Sequence, residues 1–74
     1  MKTWAVTVTN TVLGTLLQSS TYETEEVARG YYTALVAVSG RNPVPDTRIN
    51  LIEINGRVRT LLASVDIRNP EESR

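Results

Sequence analysis

The carboxylates are the side chains of this sequence best suited to acid–base chemistry, and their spacing does not bring them together. Acid–base catalysis needs two titratable groups that converge on one cleft with pKa values held apart. The acidic residues are Glu23, Glu25, Glu26, Asp46, Glu53, Asp66, Glu71 and Glu72. Some belong to a predicted helix start and others to the end of the chain, and nothing in the spacing unites the rest. We therefore predict no general acid–base pair.

The sequence also has few residues suited to bind a metal ion or to act as a nucleophile. Glu23 and Glu26 could be drawn as magnesium ligands, but a helix start accounts for both without a metal. The sequence has no Cys and no His, which excludes a thiolate nucleophile, Cys-based metal sites and the usual proton shuttle. The serines lack a His base, the single Lys is Lys2, and the 4 Gly residues are too scattered for a phosphate-binding loop. We predict a non-enzymatic protein without cofactor or metal.

Arginine is the residue type whose placement favours binding. Arg48, Arg57 and Arg59 fall on the last predicted hairpin, and a β-ribbon with arginines can grip phosphates. The formal net charge of +0 argues against the strong basic field of most nucleic-acid-binding proteins. Arginine is also enriched in protein interfaces. Protein binding is therefore the leading interpretation, and nucleic-acid binding through these arginines is the alternative.

Length and composition predict one small folded domain. The chain has 74 residues, 41% of them hydrophobic and 22% charged, which is close to the globular average. A domain this short buries only about 60% of its unfolded surface, so help from a partner subunit would be unsurprising. No apolar run is long enough for a signal-peptide core or a membrane span, and we expect a cytoplasmic protein.

Alternation and turn residues predict four strands and one helix. Strands are predicted over 3–9, 15–19, 47–53 and 58–66, with a helix over 25–39. This ββαββ order is typical of an α+β fold with two layers, in which one helix packs on a four-stranded antiparallel sheet. The domain would span residues 1–67, and residues 68–74 would form a flexible C-terminal tail.

Capping residues mark the helix. Thr24 suits the N-cap, acidic residues occupy the first turn, and Gly40 is the expected C-cap. At 100° per residue the buried stripe would consist of Val27, Tyr31, Ala34, Leu35 and Val38. Gly30, near the edge of this stripe, indicates either a close approach to a strand or simple sequence drift.

Two apolar residues fall outside this stripe. Tyr32 and Val36 lie one helical turn apart on the side facing away from it, where they could form part of a contact patch. Isolated exposed apolar residues are normal, however, and that interpretation is the simpler one.

Asn55-Gly56 predicts a tight hairpin with apolar residues on both faces. A two-residue Asn-Gly turn would place Ile54 opposite Arg57 and Ile52 opposite Arg59. One face would carry Ile52, Ile54, Leu61 and Ala63, continued by Val65 and Ile67. The other face would carry Ile49, Leu51, Val58 and Leu62. One short helix can cover only one of these faces, so another molecule should cover the other.

A β-bulge near Leu61 and Leu62 is the alternative. It would exchange the faces partway along the strand and send all these aliphatic side chains into one core.

The layout of the chain resembles that of short accessory proteins of phages and mobile elements. The resemblance covers the chain in outline: an N-terminal hairpin, then Tyr22-Glu23-Thr24-Glu25-Glu26-Val27 opening a helix, then an Asn-Gly hairpin. It implies a compact accessory protein that acts by binding, for instance by blocking a host protein.

These observations favour a small protein-interaction module that self-associates, most simply as a homodimer, through the hairpin face that the helix leaves open. Ile52, Ile54 and Leu61 would anchor the contact and Arg57 and Arg59 would form its rim. A third hypothesis, besides nucleic-acid binding, is a small nucleotide or metabolite held at a subunit interface.

Overall fold

The computed structural model describes residues 1–67, and the predicted tail over 68–74 lies outside the described residues. The described chain contains β1 (Lys2–Asn10), β2 (Leu16–Tyr22), α1 (Glu25–Arg41), β3 (Thr47–Asn55) and β4 (Val58–Ile67). The predicted ββαββ order and the α+β class are confirmed. The strands extend one to three residues beyond their predicted ends at several positions, most of all at β2, which runs to Tyr22 rather than Ser19.

The strands form one antiparallel sheet in the order β2-β1-β3-β4. The central pair, β1 and β3, joins parts of the chain that are far apart in sequence, such as Val6 opposite Leu51. The two strands of each hairpin lie side by side, so β2 and β4 are the edges. The alternation in β1 sends Trp4, Val6 and Val8 toward the helix, where all three belong to the core or pack against it.

The core lies between α1 and the two central strands. Val6, Ala28, Ile49 and Leu51 are buried, with relative exposures of 0–1%. Because β1 and β3 are covered by the helix on this side, the open face of the sheet is the side that carries Ala5 and Ile52.

Local sequence fixes the start of α1. The Thr24 hydroxyl accepts a hydrogen bond from the Val27 amide at 3.4 Å, and Glu25 forms an ion pair with Arg29 one turn later. The predicted C-cap is wrong, since the helix continues through Gly40 to Arg41 and the Asn42 amide donates to the Val38 carbonyl at 3.0 Å. No strand approaches Gly30, because a Cβ built there meets nothing within 4 Å.

The helix is rotated relative to the predicted stripe. Tyr31 and Leu35 pack against the core as predicted, but Val27, Ala34 and Val38 are exposed. Their places are taken by Ala28, Tyr32 and Val36. The prediction that Tyr32 and Val36 form an outward contact patch is therefore wrong, because both side chains pack against the core.

The first hairpin has no charged residue after Lys2. No charged residue occurs from Thr3 to Tyr22, a stretch that includes most of β1, its turn and the edge strand β2. The Asn10 side chain holds the turn by accepting hydrogen bonds from the amides of Val12 and Leu13, and Gly14 adopts a φ of 70°. A register shift between Val8 and Thr9 leaves Leu17 as an extra residue in β2.

Among residues 1–67, no helix is long and apolar enough to cross a membrane.

Candidate functional site

The turn of the second hairpin differs by one residue from the predicted turn. Asn55 pairs with Val58, so Gly56 and Arg57 are the two turn residues. Gly56 has a φ of 62° while Arg57 does not have a positive φ, which is the pattern of a type II′ turn with Gly in its first central position. As a result Ile54 faces Arg59 and Ile52 faces Leu61, and the predicted partners Arg57 and Arg59 are wrong.

A β-bulge lies at the position that the sequence offered as an alternative. Ile52 pairs with Leu61 and Leu51 pairs with Ala63, which leaves Leu62 as the extra residue in β4. Beyond the bulge, Ala63, Val65 and Ile67 pack against the helix-side core, so their predicted place beside Ile52 is wrong. Ile52, Ile54 and Leu61 stay on the open face, so the bulge does not send every aliphatic side chain into one core.

These three residues form what we call the open-face patch: Ile52, Ile54 and Leu61. Ile52 and Ile54 are half-buried, and Leu61 is 59% exposed. Ala5 pairs with Ile52 and is only 4% exposed, although it points away from the helix. The patch therefore occupies the end of the open face nearest the Gly56 turn.

The other end of the open face is polar and internally hydrogen-bonded. Asn50 donates to the Thr7 hydroxyl at 3.2 Å and accepts from the Ser64 hydroxyl at 3.2 Å, which links β1, β3 and β4 across the sheet. In the next row Arg48 donates to Asp66. The hydrogen bond and the charge of Asp66 raise the pKa of Arg48 above its ordinary value. The polar side chains at this end of the face are therefore hydrogen-bonded to one another within the chain.

The structure separates the three arginines of the nucleic-acid hypothesis. Arg48 and Arg59 share the open face, but Arg48 pairs with Asp66 in a row of β3 far from Ile54. At roughly 3.3 Å per residue along a strand, the two positions are about 20 Å apart. Arg57 lies in the turn. Among residues 1–67 neither Arg57 nor Arg59 has an ion-pair partner, so both are free to act at the edge of the open-face patch.

The acidic side chains are dispersed. Glu53 pairs with Lys2 at 3.2 Å and Glu25 pairs with Arg29, both partly exposed to solvent. Within the described part of the chain, no three acidic, His or Cys side chains are grouped closely enough to hold a metal ion.

A cavity beneath the last turns of α1 was not predicted from the sequence. It has a volume of about 250 Å³ and a largely aliphatic lining that includes Val8, Leu17, Leu35, Val44 and Ile49. Leu17 and Val44 are 56% and 62% exposed, so the cavity opens on an apolar surface. The Leu16-Leu17 pair was the available sequence signal, since adjacent leucines in an edge strand put apolar side chains on both faces.

Comparison of the chain with protein-family models, with curated proteins and with solved structures finds no match.

Proposed function

We propose that this chain is a small protein-interaction module without catalytic activity, which associates with a second copy of itself through the open-face patch. The single observation that carries the proposal is the placement of Ile52, Ile54 and Leu61 on the side of the sheet that the helix does not cover. Each such side chain contributes roughly 1.5–3 kcal/mol when it is fully buried. A contact that covers all three would therefore add appreciably to the stability of a domain this small.

The surroundings of the patch support a protein partner. Arg59 lies directly opposite Ile54, and Arg57 lies in the adjoining turn, so cationic groups border an aliphatic centre. This arrangement, with an apolar core and arginine at the rim, is common in protein interfaces. Cytoplasmic residence, and the host protein that the resemblance to phage accessory proteins implies as a further target, belong to the same proposal.

The two other hypotheses have less support. Nucleic-acid binding needs several free cations close together, whereas Arg48 is paired with Asp66 and lies at the far end of the face. The phosphates of a nucleotide favour cationic partners, and the cavity beneath α1 has no charged residue in its lining.

The test is the molar mass of the full chain in solution, measured by light scattering at micromolar concentration. We expect the wild type to have a mass that is a multiple of the 8.2 kDa chain. Ile54→Arg, which places a charge in the centre of the patch, should lower this mass.

The matched control is Ser19→Arg, which adds the same group to the open face but on the edge strand β2, opposite Thr7 and away from the patch. It should leave the mass unchanged. A monomeric wild type, together with an Ile54→Arg variant of unchanged stability, would overturn the proposal.

A further inference from the structure

The open-face residues of the edge strand β4 are arranged symmetrically along the strand, which the sequence alone does not show. On the open face it carries Arg59, Leu61, Ser64 and Asp66, as their partners on β3 show. Leu61 and Ser64 are three residues apart and still share a face, because the extra residue Leu62 shifts the alternation by one. These four open-face positions are therefore arranged symmetrically about the bond between Leu62 and Ala63.

This symmetry selects one register for pairing β4 with a copy of itself. When two β4 strands run antiparallel about a twofold axis between Leu62 and Ala63, open-face residues meet open-face residues along the whole strand. Leu61 then faces Ser64 of the second copy, and Val58 faces Ile67 of the second copy. A slip by one residue would place open-face side chains opposite helix-face side chains.

The same register is complementary in charge. It places Arg59 of each copy directly opposite Asp66 of the other, so two opposite-charge pairs form across the junction. Arg59 has no ion-pair partner among residues 1–67. Asp66 accepts two hydrogen bonds from Arg48, and the charge of its carboxylate also attracts a guanidinium placed opposite it across the junction. Each Asp66 would then lie between two arginines.

A bulge normally protects an edge strand, because it spoils the register with a regular strand. That protection does not apply here, since the twofold axis sets two identical bulges against each other. The opposite edge, β2, lacks this pattern, because it has no charged residue.

We propose that a second copy of the chain adds to this one edge to edge along β4, in the register that places Arg59 opposite Asp66. The product is a continuous antiparallel sheet of eight strands, with both helices on the same side. The axis of this pairing is perpendicular to the sheet, whereas the axis of a contact between two open faces lies parallel to it. If the two axes intersect, the two contacts together produce a closed tetramer.

Charge substitution tests the edge contact in the full chain. Arg59→Asp places a carboxylate opposite Asp66 of the second copy and should at least halve the mass measured by light scattering. Arg41→Asp makes the same change at the exposed end of α1, outside both proposed contacts, and should have no effect. Mixing the Arg59→Asp and Asp66→Arg proteins should restore association, because a pair of opposite charge can again form across the junction.

Cross-linking provides a measurement of register that does not depend on the charge variants, and the wild-type chain has no Cys to interfere. A mixture of the Leu61→Cys and Ser64→Cys proteins should form a disulfide-linked dimer under mild oxidation, because these residues are opposite each other in the proposed register. The linked dimer should contain one chain of each variant, because the proposed register does not place either residue opposite its own copy. A mixture that yields no linked dimer containing one chain of each variant would overturn the edge pairing.

The two proposals fail separately. Loss of mass in Ile54→Arg without a Leu61–Ser64 cross-link retains the open-face contact and rejects the edge contact. A cross-link together with an unchanged mass in Ile54→Arg retains the edge contact and rejects self-association through the patch. A wild type that stays monomeric and does not cross-link rejects both.

Discussion

At the scale of single residues, burial separates aliphatic side chains of the same type into two classes. Leu51 is fully buried between the sheet and the helix, whereas Leu13, in the first turn, is 73% exposed. The core of this chain has few such buried residues. Each of them therefore carries a large share of the stability.

We predict that Leu51→Ala lowers the free energy of unfolding by about 2–5 kcal/mol, because it removes buried methyl groups and leaves a cavity. The same substitution at Leu13 should change the free energy of unfolding by no more than about 0.5 kcal/mol. Urea unfolding followed by the fluorescence of Trp4, the only Trp in the chain, measures both. Equal effects of the two substitutions would contradict the assigned core.

At the scale of elements, glycine has opposite roles in the helix and in the hairpin. Gly30 lies in the interior of α1, with open space where its Cβ would be. Gly56 adopts a φ of 62°, which other residues rarely adopt. The same substitution should therefore change stability in opposite directions at the two positions.

We predict that Gly30→Ala raises the free energy of unfolding by about 1 kcal/mol through helix propensity. Gly56→Ala should lower it by about 1–2 kcal/mol, because alanine is strained in the left-handed region. Thermal unfolding of the two variants and of the wild type measures both effects. A stabilised Gly56→Ala would show that the turn is not of type II′.

The same element scale explains how much the sequence could predict. Element order and type were predictable, because the strands alternate and Thr24 caps the helix. The side of α1 that packs on the sheet was not predictable. Apolar residues occur on nearly all sides of the helix between Val27 and Val38, so two different stripes fit the helical period. The placement of Ile52, Ile54 and Leu61 on one face of the sheet was predictable. The residues that pair with them across the hairpin were not predictable. Asn55-Gly56 and Gly56-Arg57 are both acceptable two-residue turns, and the position of the turn changes every pairing between β3 and β4.

At the scale of the whole molecule, one helix and one sheet make two layers, and the second side of the sheet has no cover among residues 1–67. Its polar half is satisfied by the bonds between Thr7, Asn50 and Ser64. Its apolar half has no cover among these residues. Association should therefore stabilise the fold, and stability should depend on protein concentration.

We predict that the midpoint of thermal unfolding of the wild type rises as the protein concentration is raised. For a domain of this size, each kcal/mol contributed by association should raise the midpoint by about 4–8 °C. The midpoint of a variant carrying both Ile54→Arg and Arg59→Asp should not change with concentration. Differential scanning calorimetry over a wide concentration range measures this, and a constant midpoint for the wild type would contradict self-association.

The uncharged segment of the first hairpin also has a consequence during synthesis on the ribosome. The segment from Thr3 to Tyr22 precedes its covering helix and its central partner β3 in the chain, so it leaves the ribosome before either of them. At about 5–20 residues per second, a nascent chain exposes this segment for a few seconds, without a single charge to keep neighbouring chains on a polysome apart. Faster translation of the codons after Tyr22 would shorten that interval, and slower translation would lengthen it.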